Sequence, residues 1–440
     1  MRVRTVAAAA ALLVAVVVAM QAQSPAPTFP DAQASDPSAM GWMVGAPPPA
    51  GKIVRFADST HYKFPQTRWA FSHMRELVPT VAVPRGAGPV SPLPRAEQRA
   101  LDAVTFTPLG QYGTLTWKDA FDANYTDGVV VLHRGRIVYE RYGGALTPER
   151  QHITFSVTKS FTSALAGILM AEGKLDERAA VGSYVPELQR SAFGDATIRQ
   201  LLDMTTGLDY SEDYNDVTSP VWDLGRAVGF LPMPPGYTKP STSYAYLASL
   251  AKQGQHGAQF VYKTPNTDAL AWVLRRVSGQ PLNELFRERI FAKLGAEQDA
   301  YYLLDSTGVE FAGGGLHMSL RDLARFGEAM RLDGRFNGQQ IVPRAYVDDV
   351  RRGGNRDLFT ANGSYKTLPG GSYRSMWWVH HNAHGAYSAR GVHGQAIYVD
   401  PMAEMVIVRF ASHPLGGNVG IDPMSLPAYD AIARRLMEKP

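Results

Sequence analysis

From Asp127 the chain reads "DGVVVLHRGRIVYERYGG", two runs rich in β-branched and aromatic residues joined at Arg134 and Gly135, a pattern that predicts a β-hairpin. A second such pair lies near the C-terminus, where "GQAIYVD" and "MVIVRFAS" flank "PMAE". Between them, apolar residues recur at helical spacing in "SFTSALAGILMAEG", "TIRQLLDMTTG", "TDALAWVLRRVSG" and "SLRDLARFGEAMRLDG", each closing on a glycine. In the first of these, Phe161, Leu165, Ile168 and Leu169 define one face to be buried. Strands at both ends with helices between predict an α+β fold: an antiparallel sheet built from both termini and flanked by helices, with a mainly helical lobe inserted over roughly residues 170–315. The stretch "RRGGNRDLFTANGSYKTLPGGSYRS" is too rich in Gly and Ser to predict regular structure and reads as a loop beside a site or at the surface.

Ahead of this unit the pattern weakens. Residues 23–105 read as a Pro-rich extension holding one partly packed helix, "TRWAFSHMRELVP", and ordered structure is expected to begin in earnest near Asp127, within a unit spanning 106–440. The first residues, "MRVRTVAAAAALLVAVVVAMQAQ", place Arg2 and Arg4 before an apolar run from Val6 to Met20 and small residues at Ala19 and Ala22. This is the pattern of a secretory signal over residues 1–22, removed near Ala22, and it implies a secreted or periplasmic protein; retention as an anchor is the alternative.

A hydrophobic share of 45% and a charged share of 19% are those of a globular protein, and a net charge of +4 with no long Lys/Arg run argues against a nucleic-acid partner. The absence of cysteine excludes a thiol nucleophile, Cys-ligated zinc and disulfides. The composition leaves monomer and homodimer both open.

The chemistry concentrates in "FSVTKSFTSALAG". Ser156 stands where the helix begins, and Lys159 follows one turn later on the same side. Ser249 and Lys252 in "SLAK" fit the same spacing, but at the end of an apolar run, where a lysine is ordinary helix-end chemistry. At a helix start, free N–H groups favour developing negative charge, and a lysine against an apolar face loses hydration and becomes a base. The competing reading makes Ser156 an N-cap and Lys159 a surface charge. In "FVYKTPNTDALAWVL", Tyr262 ends an apolar run before a helix that Asn266 or Thr267 would cap; beside an ammonium its pKa would fall and it would relay protons. "SARGVHGQAIYVDP" sets Gly391 and Gly394 at a strand start, where a backbone can approach a ligand closely.

"SVTK", "YKTPN" and "ARGVHG", in this order, resemble the three motifs of the penicillin-recognising serine hydrolases, which include class C β-lactamases, DD-peptidases and related carboxylesterases. "RWAFSHMRELVP", "LDYSEDYND", "NTDALAW" and "LPGGSYRSMWW" look most like the 6-aminohexanoate-dimer hydrolases, a branch of amidases with esterase activity. The resemblance implies a β-lactamase-like fold and cofactor-free cleavage of small ester or linear amide substrates through an acyl-enzyme. Ser156 would be the nucleophile, Lys159 and Tyr262 the proton carriers, and the N–H groups of Ser156 and Val392 the oxyanion hole. Tyr214, Asn266 and His393 would contact substrate, Asn266 acting where Thr264 departs from the YxN motif. The third motif, "ARG", lacks the usual Lys or His, which weighs against β-lactam or peptidoglycan turnover although Arg390 is cationic; Gly225 and Gly313 fall where relatives carry polar substrate contacts. Two further classes are set against this one: a non-catalytic module binding cell-wall peptide, and a metalloenzyme built on His380, His381, His384 and His393, whose spacing matches no established zinc pattern.

Overall fold

The computed structural model describes residues 29–111 and 113–438; the signal segment lies outside the described residues. Eleven strands carry the two sheets that position the site. They are β1 (Thr80–Val83), β2 (Thr126–His133), β3 (Arg136–Tyr142), β4 (His152–Ile153), β5 (Ala300–Leu303), β6 (Leu316–Met318), β7 (Ser372–Arg374), β8 (Trp377–Val379), β9 (Tyr387–Gly391), β10 (Gln395–Asp400) and β11 (Met405–Ala411). The larger sheet is antiparallel in the order β7-β8-β9-β10-β11-β2-β3, so the N-terminal hairpin pairs with the last strand and the termini meet as the sequence predicts. Arg134 (φ 52°) and Gly135 (φ 76°) both turn left-handed, the geometry that a two-residue hairpin loop requires.

Both faces of this sheet are covered, which explains why "VVVL" is apolar without alternation. Val130 and Leu132 face the main core, on the side where the helix Leu320–Arg331 packs, whereas Val129 and Val131 pack with Trp117, Tyr429 and Ile432 on the other side. Four long helices matter here: α1 (Val157–Ala171), α2 (Pro265–Ser278), α3 (Leu320–Arg331) and α4 (Asp422–Met437). Helix α1 departs from the one-face expectation, being buried on all sides from Val157 to Leu169. Its small polar residues are not a solvated face: Ser160 donates to the Met376 carbonyl (2.8 Å) and Ser163 to the Ser375 carbonyl (2.5 Å), so burial leaves these hydroxyls satisfied. Helix α2 begins at Pro265, two or three residues earlier than expected, and neither Asn266 nor Thr267 caps it.

The segment before Asp127 requires the main correction. Strand β1 pairs with β5 in a second sheet, ordered β1-β5-β6-β4, while Phe71, Met74, Val78 and Val83 enter the main core. Arg68 forms a buried ion pair with Asp127 at 3.0 Å. Periodicity missed this because the segment contributes side chains singly, from short turns. The Gly-rich stretch after Arg351 also holds a helix, Arg356–Asn362, and strand β7, although its loop portion does border the site. Among the described residues, no helix is long and apolar enough to cross a membrane.

Candidate active site

Strand β4 ends at Ile153, and the chain turns abruptly into α1 through Phe155, which adopts φ 43°. A bulky residue in the left-handed region is unfavourable, and here it aims the next side chain out of the core. Ser156 occupies the helix N-cap position without capping; its Oγ instead lies 2.9 Å from Lys159 Nζ. That separates the two readings of this serine in favour of a hydroxyl held by a lysine. Lys159 is only 1% exposed and also donates to the Gly313 carbonyl at 2.6 Å. Burial pushes its pKa down to about 8, against the opposing pull of the Glu212 and Asp268 carboxylates.

Tyr262 stacks on Trp378 (ring centroids 5.5 Å apart), its ring lies 5.2 Å from Lys159 Nζ, and it lines the same recess as Ser156. Its pKa moves opposite to the expectation: burial, reinforced by Glu212, raises it well above the usual phenol range. Tyr262 is therefore a neutral phenol, while Lys159 is the group whose proton is loosened. Val392 opens a short turn between β9 and β10, and Ser156 opens α1, so neither N–H has an acceptor within its own helix. Among the described residues no cap, turn or side chain takes either one. Gly391 lets these two segments meet, since a Cβ there would stand 2.8 Å from the Thr154 carbonyl oxygen.

Two recesses open at Ser156. A cleft of about 300 Å³, the more polar of the two, is lined by Tyr262, Glu212, Asn362, Tyr365, Arg390 and Asp422 among others. A smaller aromatic recess of about 60 Å³ is walled by Tyr62, Phe155, Trp222, Leu224, Phe230 and Phe311. Ser156, Tyr214 and Val392 border both. Arg390 is not free: it is paired with Asp422 and lies over Trp378 at 5.3 Å.

Two site assignments fail. Asn266 is fully buried behind the cleft, its Oδ1 accepting from Thr206 at 2.7 Å and its amide facing Met204, because its place on α2 turns it inward; Thr264 borders the aromatic recess instead. The His393 imidazole points away from both recesses, with Nδ1 at 2.7 Å from the His413 carbonyl and Nε2 at 3.0 Å from the Tyr62 hydroxyl. Nor do the four histidines converge: His380 pairs with Ser388, His381 with Ser372 and His384 with Asp400. No group of three His, Asp or Glu side chains is placed to hold a metal ion among the described residues.

Two carboxylates were missed. Glu212 accepts from the Thr264 N–H and, at 3.0 Å, from the Tyr214 hydroxyl. Asp268 is buried beside Lys159 and accepts from the Gly313 N–H at 3.0 Å; burial raises its pKa. Glu212 stands two residues before Tyr214 in a stretch already singled out, whereas Asp268 reads as an ordinary first-turn acid of α2.

The chain is 36% identical over 352 residues to 6-aminohexanoate-dimer hydrolase of Paenarthrobacter ureafaciens, covering 80% of this chain and 86% of that one. A solved Bacillus anthracis structure described as a candidate 6-aminohexanoate-dimer hydrolase superposes with a TM-score of 0.80 and 31% identity, covering 90% of this chain and all of the other (100%). The fold also matches a family VIII carboxylesterase (TM-score 0.51, 19% identity, 72% of this chain and 96% of that one). The beta-lactamase family profile matches residues 121–423, and the chain belongs to the beta-lactamase family.

Proposed function

We propose that the protein is a serine hydrolase that cleaves ester or linear amide bonds, resembling 6-aminohexanoate-dimer hydrolase and carboxylesterases. The observation that carries this reading is the buried Lys159 amine 2.9 Å from the Ser156 hydroxyl. Neutral Lys159 takes the proton as Ser156 Oγ attacks the carbonyl carbon, and the N–H groups of Ser156 and Val392 receive the oxyanion. As the C–O or C–N bond breaks, the Tyr262 phenol protonates the leaving group and is restored by the proton held on Lys159. Water then repeats the sequence on the acyl-enzyme and releases the acid. A phenol of raised pKa is a weak acid, suited to strongly basic alkoxide or amine leaving groups.

Tyr262 borders the polar cleft and not the aromatic recess, so the leaving group belongs in the cleft beside its proton donor. The acyl chain then enters the recess, whose volume admits roughly four to six heavy atoms at ~10–15 Å³ of probe space each. Tyr214 bridges the two, its hydroxyl held by Glu212. Penicillin-type chemistry is disfavoured because Arg390 is already paired with Asp422. A purely binding role leaves unexplained why an amine is buried against a hydroxyl at a desolvation cost.

Ser156→Ala should abolish turnover of p-nitrophenyl butyrate, and intact mass of the unmodified enzyme should show one acyl adduct on Ser156; full activity in the variant would refute the reading. Residues 1–22 are assigned as a secretory signal, checked by the N-terminus of protein recovered from outside the cytoplasm.

A further inference from the structure

Both oxyanion donors adjoin residues in unfavourable backbone conformations. Phe155 (φ 43°) precedes Ser156, and His393 (φ 60°) follows Val392. Neither is glycine, so something must hold each in place. The two rings lie 5.6 Å apart, and two side chains of the N-terminal segment clamp them. Phe71 packs on Phe155 at 4.9 Å and on His393 at 5.2 Å; Tyr62 packs on the same pair at 6.4 and 5.3 Å. The Ile153 N–H donates to the Phe71 carbonyl at 2.9 Å, tying this segment to the strand that leads into Ser156.

The hydrogen bonding of His393 gives the contact a direction. Its Nδ1 faces the His413 carbonyl, which only accepts, so Nδ1 carries the proton and Nε2 is the acceptor. The Tyr62 hydroxyl, 3.0 Å away, must then donate. His393 is otherwise fixed through its backbone, its N–H to the Gly416 carbonyl and its carbonyl to the His413 N–H. We propose that Tyr62 is a positioning residue for the oxyanion hole: by donating to His393 and packing on Phe155 it fixes the residues beside both N–H donors, making the N-terminal segment a working part of the catalytic unit. The inference rests on the acyl-enzyme reading above.

Tyr62→Phe keeps the ring that walls the aromatic recess and removes only the hydroxyl. Losing an oxyanion donor outright costs about 10²–10³ in kcat, and displacing one should cost less, roughly 10- to 100-fold. The variant should show that loss in kcat on p-nitrophenyl butyrate with KM within about twofold, and a parallel weakening of a trifluoromethyl ketone inhibitor, whose hemiketal oxyanion occupies the same hole. His393→Asn removes the acceptor while tolerating a positive φ, and the double variant should lose no more than the worse single one. Unchanged kcat and unchanged ketone affinity in Tyr62→Phe, even with a lowered melting temperature, would overturn the proposal, as would full additivity in the double variant. If Ser156 carries the acyl adduct while Tyr62→Phe is fully active, only this inference fails; turnover by Ser156→Ala would instead remove the reading beneath it.

Discussion

The pH dependence of acylation tests the role of Lys159 most directly. An amine with its usual pKa of 10.5 is neutral in only about one molecule in 3,000 at pH 7, whereas at about 8 roughly one in ten is. Burial therefore raises the reactive fraction roughly 300-fold, at a cost of about 3 kcal/mol in solvation, paid in the folded state. That cost is full below about pH 8 and disappears as pH rises through 10.5, so this residue makes the protein more stable with rising pH across that window. Activity follows the neutral amine: kcat/KM should rise about tenfold per pH unit below 8 and level off above it. Because Asp268 is buried against Lys159, the limb reports the pair, and Asp268→Asn, which removes a carboxylate that favours the ammonium, should move it to lower pH. The assay is initial-rate hydrolysis of p-nitrophenyl butyrate from pH 5.5 to 9.5, corrected for spontaneous hydrolysis. Lys159→Arg, whose guanidinium stays protonated, should lose about 10²–10⁴ in kcat. A flat profile between pH 6 and 9, or a limb near 10.5, would refute the assignment of Lys159 as base.

Other tests follow from neighbouring contacts. Tyr262→Phe should lose about 10²–10⁴ in rate on amides and alkyl esters but much less on p-nitrophenyl esters, whose leaving group needs no proton; equal losses would contradict its role as acid. Along the p-nitrophenyl series from acetyl, kcat/KM should climb up to about fourfold per methylene until the aromatic recess is full, near hexanoyl, and fall for decanoyl; a monotonic rise to long chains would place the acyl group elsewhere. Arg68→Met leaves Asp127 buried without its guanidinium and should cost about 3–5 kcal/mol in denaturant unfolding.

What the sequence revealed tracks the kind of signal involved. The hairpin around Arg134, the central helix and the three motif positions were legible because each rests on local periodicity or on contiguous spacing. Glu212 and Asp268 were not, because a carboxylate acquires its role from what a distant segment brings to it: the Thr264 N–H in one case, Lys159 in the other. Asn266 and His393 were misassigned for the complementary reason. Motif position locates a backbone, while the direction of a side chain is set by helix phase for Asn266 and by a positive φ for His393. The N-terminal segment was underestimated because Tyr62 and Phe71 sit in short turns that no periodicity marks.

The Arg390–Asp422 pair lines the cleft proposed for the leaving group, so its charge balance can be tested with substrates. Arg390 is 7% exposed and Asp422 4%, so the guanidinium has shed most of its water and has its charge answered by a carboxylate at the start of α4. The Thr367 hydroxyl donates to the other oxygen of Asp422 at 2.5 Å, which holds the acid in place. An incoming carboxylate would have to displace Asp422 and would meet its repulsion, whereas a neutral leaving group does not compete for Arg390. Asp422→Asn keeps the shape and the Thr367 contact and leaves Arg390 with an unanswered charge. That variant should gain on an ester whose leaving group carries a carboxylate, by about tenfold or more in kcat/KM relative to its neutral methyl ester, since a hydrogen bond to a charged partner contributes about 1.5–3 kcal/mol. An unchanged ratio between the two substrates would mean that the pair does not face the leaving group, and the placement of the leaving group in the polar cleft would fall with it.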